Sequence, residues 1–185
     1  MGRNFEGGGT GRYYEAKFMG TTTVSDEFLR AVAELPRLSR DEYKKKLFDL
    51  YTQHYNGDPT NPSAGPLKDL RLEIMAALGL REEDDKDLTA YSAIGTPLDI
   101  KFGTDGFIQF KDRMTGKIGR VTLDTTLNQR KLNETENQDD HIYIGELPDA
   151  VQDEDAYLRA IGDYGHQIAS RLMKLTAPDE RRKAA

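Results

Sequence analysis

The sequence contains no cysteine. That excludes disulfides, thiolate zinc sites and cysteine nucleophiles together, and it fits a reducing, cytoplasmic setting. Histidine is scarce too: His54, His141 and His166 lie far apart and form no HExxH-type spacing. No apolar run approaches the roughly 18 residues of a membrane-crossing helix, so no membrane partner is expected. The first residues, MGRNFEGGGTGRYYEAKF, lack the apolar stretch of a secretory leader, and Phe5-Glu6 departs from the myristoylation pattern that Gly2 would begin. A positive charge balance is also missing. Acidic residues number 32 against 26 basic ones, a net charge of −6. Proteins that hold nucleic acid are commonly basic, because neutralising phosphates supplies most of their affinity. The overall charge therefore argues against such a partner, although the local sign of charge matters more than the sum.

What is present suits one domain of mixed helix and strand. At 185 residues the chain is long enough for a core, and 37% apolar against 31% charged leaves some length for loops and ends. Residues 1–24 read as a flexible arm with one short strand at 13–18. Its GGGTG lacks the Lys-Ser/Thr ending of a phosphate loop. Residues 25–65 read as a helical region. Ser25 caps a helix that Pro36 ends, and Ser39 with Glu42 forms a capping box. That box opens a helix to about residue 55, with Tyr43, Leu47, Leu50, Tyr51 and His54 on one face. Pro66 and Gly79 then bracket a helix with an apolar stripe of Leu67, Leu70, Ile74, Met75 and Leu78. Residues 81–87 read as a solvated charged turn, and the pattern from 91 to 126 is that of strands. After the polar segment 127–140, residues 141–147 alternate as a strand. Residues 153–175 form an amphipathic helix with Tyr157 or Leu158, Ile161, Tyr164, Ile168, Leu172 and Leu175 inward. Residues 177–185 read as a frayed tail. The predicted class is α/β (of the α+β type): a central mixed sheet flanked by helices over 66–176, with an N-terminal helical extension.

The strands carry the one constellation with chemistry in it. Gly116 suits the left-handed position that closes a four-residue loop, 113–116, and pairs Asp112 with Lys117. Counting back, Phe110 meets Gly119, Ile108 meets Val121 and Gly106 meets Leu123. This register puts Ile108, Phe110, Val121 and Leu123 on one apolar face. It also sets Asp105 opposite Asp124, both on the other face, with Thr126 sharing the face of Asp124. Directly opposed residues have Cβ atoms roughly 4.5–5.5 Å apart, and two carboxylates so close repel one another. A divalent cation such as Mg²⁺, a shared proton, a basic side chain or plain solvation at two strand ends would relieve that repulsion.

The order of elements, with GTDGFIQF (103–110) and RVTLDTTLNQRK (120–131), resembles the PD-(D/E)xK nuclease superfamily, whose restriction-endonuclease-like core is αβββαβ. The resemblance covers residues 66–175. It implies that Asp105 is the first metal-binding acid, Asp124 the acid of the (D/E)xK element, and Glu73 an accessory acid on the first helix. Thr126 stands where the motif has lysine. Lys131 is the candidate substitute, with Lys111 and Lys101 as weaker ones, and Asp99 is an alternative first acid. The implied activity is phosphodiester hydrolysis with Mg²⁺ or Mn²⁺, on DNA in preference to RNA. Asp105 and Asp124 would hold the metal, and Lys131 would orient water or neutralise the phosphate. The alternative is an inactive relative that keeps the scaffold for protein–protein assembly, as a homo-oligomer or with another protein. The missing motif lysine and the aromatic arm at Tyr13, Tyr14 and Phe18 speak for it.

Overall fold

The fold comes from a computed structural model, which describes residues 8–20, 22, 24–128, 130, 132 and 140–178. Helices α1 (Gly8–Met19), α2 (Asp26–Ala33), α3 (Arg40–Gln53) and α4 (Gly65–Ala77) precede a 3-10 helix at Glu82–Asp87. Strand β1 (Leu88–Ser92), helix α5 (Pro97–Phe102), strands β2 (Gly106–Lys111), β3 (Ile118–Thr125) and β4 (His141–Ile144) and helix α6 (Glu154–Thr176) complete the chain. The strands lie in the order β1-β2-β3-β4, antiparallel except for β3 and β4, which run parallel. This is the expected mixed sheet flanked by helices.

Local chemistry sets most boundaries. Ser25 Oγ accepts from Phe28 N, and Ser39 and Glu42 exchange both capping-box hydrogen bonds. Asp153 Oδ1 accepts from Ala156 N to start α6. Gly79 takes φ +67° after α4, where Leu80 N donates to Met75 O. The hairpin has the expected register throughout, with Gly116 at φ +68° and Asp112 N donating to Lys117 O at 3.0 Å.

The sheet separates two cores. On one face Ile108, Val121, Leu123, Ile142 and Ile144 pack with Phe18 and Met19 of α1, with α4 and with Ile161, Ile168 and Leu172 of α6. On the other, Phe107 and Tyr91 pack with Phe28 of α2, with Leu47, Phe48 and Tyr51 of α3 and with Leu98 of α5.

Three expectations need correction. Residues 8–19 are helix, not an arm with a strand at 13–18. Phe18 and Met19 are buried, and Tyr14 Oη donates to Gly145 O and accepts from Leu147 N. Phe18 is therefore core and only Tyr13 of the aromatic trio is exposed outright. The charged segment 82–87 is ordered by arginines: Arg71, itself buried, binds Asp85, and Arg113 binds Asp84 and Asp87. Residues 97–102 are helical, because Thr96 Oγ1 caps Leu98 N, Pro97 opens the turn and Gly103 closes it at φ +61°. Of the two alternatives on α6, Tyr157 is the one that faces inward, and Leu158 is half exposed. Lys131, most of the segment 127–140 and residues 179–185 of the expected tail lie outside the described residues. No described helix is long and apolar enough to cross a membrane.

Candidate functional site

Asp105 and Asp124 stand where β2 begins and β3 ends. The backbone of Asp105 prolongs the ladder to both neighbours, its N–H donating to Leu123 O at 2.9 Å and its carbonyl accepting from Ala93 N at 2.7 Å. The regular hairpin register ends at Gly106 and Leu123, and the bond from Asp105 N reaches Leu123 one residue off that register; both acids are buried, at 5% and 8% exposure. Their carboxylates differ in direction, which corrects the expectation that both face the same side. Asp105 Oδ2 accepts from Thr125 N and from Thr125 Oγ1, each at 2.7 Å. Alternation along β3 puts Thr125 on the aliphatic side, whereas Asp124 lines a cleft on the α3 side. Asp105 thus sits behind Asp124.

Burial is the main cause that lifts the Asp105 carboxyl from its ordinary value to about 7. The hydrogen bonds from Thr125 pull the other way, and the charges of Asp124 and of Glu15 on α1 push it further up. Glu15 is an acid at this site that the sequence pattern did not flag. Thr104, between Gly103 and Asp105, is fully buried and its hydroxyl has no partner among the described residues.

The cleft beside Asp124 has a volume of about 500 Å³. Its walls are Asp124, His141 and Tyr143 from the sheet, Phe102 and Gly103 at the end of α5, and Arg40, Asp41 and Lys44 of α3. At Gly103 a Cβ would lie 3.9 Å from Asp124 Oδ2, so the α5 terminus runs alongside the carboxylate. Two further hollows share its walls. One adds Arg37, Tyr43 and Lys101, the other Lys45, Arg120 and Thr122. Together they form one groove with six cations (Arg37, Arg40, Lys44, Lys45, Lys101 and Arg120) against three acids, Asp41, Asp124 and Asp140.

Four of the six cations are held on rings. Arg40 and Lys44 lie 5.6 and 5.9 Å from the centroid of Phe102, Lys101 lies 4.7 Å from that of Tyr43, and Arg120 lies 4.5 Å from that of Phe48. Arg120 also donates to Gln109 Oε1 at 2.8 Å and faces Asp49 at 3.6 Å. The sequence holds a signal for this groove. Arg40, Lys44 and Phe48 follow one another at four-residue steps on α3, beside the apolar stripe that defines the helix.

Thr122 Oγ1 lies 2.9 Å from Asp140 O and 2.7 Å from His141 Nδ1, so the hydroxyl links the ring to the chain just before β4.

The other expected residues lie elsewhere. Glu73 is half-buried on α4 against α6, where a Cβ at Gly165 would come within 2.8 Å of Glu73 Cβ, and it forms no part of the cleft wall. Thr126 closes β3, its N–H donating to Ile144 O and its Oγ1 accepting from Asn128 N. Asp99 Oδ2 accepts from Gly95 N at the start of α5. Lys111 ends β2, roughly 20 Å along the strand from Asp105 at about 3.3 Å per residue. Lys101 joins the groove through Tyr43.

Mg²⁺ and Mn²⁺ prefer hard oxygen ligands, and one or two carboxylates with water complete an octahedral shell. Asp124 and the second oxygen of Asp105 are donors of that class, with the unpartnered Thr104 hydroxyl beside them in the chain. Among the described residues no three acids or histidines gather as one metal-binding group. A cation at this point would therefore rest on two carboxylates and water. The chain matches no protein-family model, no curated protein and no solved structure.

Proposed function

We propose that this chain binds the phosphate backbone of nucleic acid, DNA in preference to RNA, along the groove of α3. We further propose that it hydrolyses a phosphodiester at Asp124 and Asp105, in the cytoplasm. One observation carries the reading: on a chain of net charge −6, six cations line one groove, and that groove runs past a buried carboxylate. Such a concentration of one sign attracts a polyanion despite the overall charge. Arg40 and Lys44 would neutralise the phosphate nearest the cleft, in the role that the nuclease resemblance implies for Lys131. Asp124 and the second oxygen of Asp105 would hold the Mg²⁺ or Mn²⁺. When bound, that cation supplies a more acidic water and charge neutralisation at the phosphate. Phe102 and Tyr43 keep the cations extended, so less side-chain freedom is lost on binding.

A second reading has an observation of its own. Asp105 Oδ2 is fully engaged by Thr125, which suits a group that ties β2 to β3. On that reading the chain is an inactive nuclease-like module that acts through binding alone, to nucleic acid or in protein–protein assembly. Two measurements on the same preparation decide between them. Binding of labelled DNA, followed by anisotropy, together with Mg²⁺-dependent nicking of plasmid that Asp124→Asn abolishes, supports the hydrolase. Binding that survives Asp124→Asn, with plasmid left intact at every Mg²⁺ or Mn²⁺ concentration, supports the inactive module. Absence of DNA binding at low salt removes both nucleic-acid readings and leaves assembly.

A further inference from the structure

A second cavity, of about 320 Å³, lies on the aliphatic side of the sheet, away from the groove. It opens between Tyr14, Lys17 and Phe18 of α1, the first turn of α4 with Gly65, Pro66 and Asp69, the segment from Leu147 to Val151, and Tyr157 of α6. The size falls at the lower end of small-ligand pockets, which run from roughly 300 to 1,000 Å³. The floor and one wall are apolar: Phe18, Leu147, Pro148, Ala150 and Val151. Tyr14 holds this wall in place, since its hydroxyl bonds both Gly145 O and Leu147 N.

Three charged groups line this space, Lys17, Asp69 and Asp149, and no ion pair joins Lys17 to either acid; Asp149 Oδ1 is taken up by Val151 N and Gln152 N. Asp69 Oδ2 accepts from Tyr157 Oη at 2.7 Å, and its other oxygen has no donor among the described residues. Lys17 has no carboxylate partner among them either. The first turn of α4 adds the N–H of Gly65 on the same rim, since the cap residue Ala64 supplies no side-chain acceptor and Pro66 has no N–H of its own. An ordinary ion pair would close Lys17 onto Asp69. Here the space between them is left for a ligand that brings both charges itself.

From this geometry we infer that the cavity binds a free α-amino acid with an apolar side chain. The ammonium meets Asp69, the carboxylate meets Lys17 and the start of α4, and the side chain lies against Phe18, Leu147 and Val151. This site is independent of the hydrolase reading, because none of its residues lines the groove.

The test is calorimetry on the full chain with L-leucine, L-methionine and L-phenylalanine. Glycine, N-acetyl-L-leucine and L-leucinamide serve as probes lacking the side chain, the ammonium and the carboxylate. At least one of the three amino acids binds, and each truncated probe is weaker by about tenfold or more, as loss of a charged contact or an apolar body predicts. Asp69→Asn, which still accepts from Tyr157, erases the preference for leucine over its N-acetyl form. Lys17→Met erases the preference over leucinamide. Val151→Asp, at a fully exposed position, lowers affinity for the three amino acids without touching the fold. No heat from any of the three amino acids up to about 10 mM, where a 1 mM site is near saturation, overturns the inference. Equal binding of the charged and the truncated probes overturns it too.

Discussion

The two faces of the sheet are filled by different kinds of side chain. Toward α1, α4 and α6 the core is aliphatic and sealed, with Ile108, Val121, Leu123, Ile142, Ile144, Ile161, Ile168 and Leu172 all fully buried. Toward α2, α3 and α5 it is aromatic, and its outer rings carry cations. Aliphatic packing returns free energy only as area removed from water. An aromatic ring half in solvent does that and also holds a charge over its face. The sheet residues of one face thus only pack, and the apolar cavity on that side opens among α1, α4 and α6 without reaching a strand, whereas the rings of the other face present charge. Asp105 and Asp124 divide along the same line: one is hydrogen-bonded toward the aliphatic side, the other lines the groove.

This division gives truncations on the two faces opposite signatures. Ile108→Ala or Leu123→Ala should cost about 2–5 kcal/mol in urea unfolding, because the space left cannot collapse within a sealed layer. Neither should alter DNA affinity where the variant is folded. Phe102→Ala, at a half-buried ring of the other face, should cost far less stability and weaken DNA binding, because Arg40 and Lys44 lose the surface that holds them. Equal losses of stability and binding from both faces would dissolve the comparison.

The acids sharpen it next. The carboxyl of Asp105 titrates at about 7 when folded, against an ordinary value of 3.8. Between those values the unfolded chain has released a proton that the folded chain retains. Stability therefore falls as pH rises from about 4 to about 7, and the cost is fully present above that range. Asp105→Asn keeps an acceptor for Thr125 and removes the charge. It should flatten that slope and raise stability at pH 8 by up to about 4 kcal/mol, the equivalent of some three pKa units. Added Mg²⁺ should stabilise the parent chain at pH 8 and do less at pH 5, where a proton competes for Asp105. Asp124→Asn should cancel the Mg²⁺ effect. A parent chain indifferent to Mg²⁺ at pH 8 would leave Asp105 as a purely structural acid.

The groove gives a smaller and more specific effect. Arg40→Glu with Lys44→Glu should lower DNA affinity by about 10–100-fold at low salt and reduce the slope of log affinity against log salt by nearly one per lost phosphate contact. The melting temperature should hardly change, since both heads lie at the surface of α3. A salt slope unchanged by the double variant would place the DNA elsewhere.

The legible and illegible parts of the sequence follow from range. The hairpin register was readable because Gly116 fixed the turn and four apolar residues fixed the face, so two local signals agreed. The helices with caps were readable for the same reason. Helix α5 was missed although Thr96, Pro97 and Gly103 announce it, because six residues are too few to show a helical period. Helix α1 was missed because its glycines and its mixed polarity give no face until α4 and β3 cover Phe18 and Met19. At the site, the nearness of Asp105 and Asp124 followed from register, but the off-register bond of Asp105 N and the direction of its side chain did not. That direction depends on a hydroxyl and an N–H one residue beyond Asp124, at Thr125. The groove was invisible as a groove, because Arg40, Lys101, Arg120 and His141 meet only through the layering of α3 and α5 on β3 and β4. Glu15 entered the site by the same route, from a segment whose sequence reads as an arm.

The mildest variant separates the two faces at a helix start. Ser39 closes the capping box at the head of α3, immediately before Arg40. Ser39→Ala should cost about 1 kcal/mol, a usual value for losing a cap. Asp153→Ala at the head of α6 removes an equivalent bond, from Ala156 N, and should cost about as much by the same rule. The readouts should then part. Fraying of the first turn of α3 displaces Arg40 and shortens the groove, so Ser39→Ala should also weaken DNA binding, by about threefold if the extra ordering cost is about 0.6 kcal/mol. Asp153→Ala frays a turn that only the aliphatic layer uses, and its DNA affinity should match that of the parent chain. Matched stability with unmatched binding would tie recognition to α3. Matched binding as well would mean that Arg40 does not depend on its helix for its position, and Lys44, one turn further in, would then be the cation to pursue.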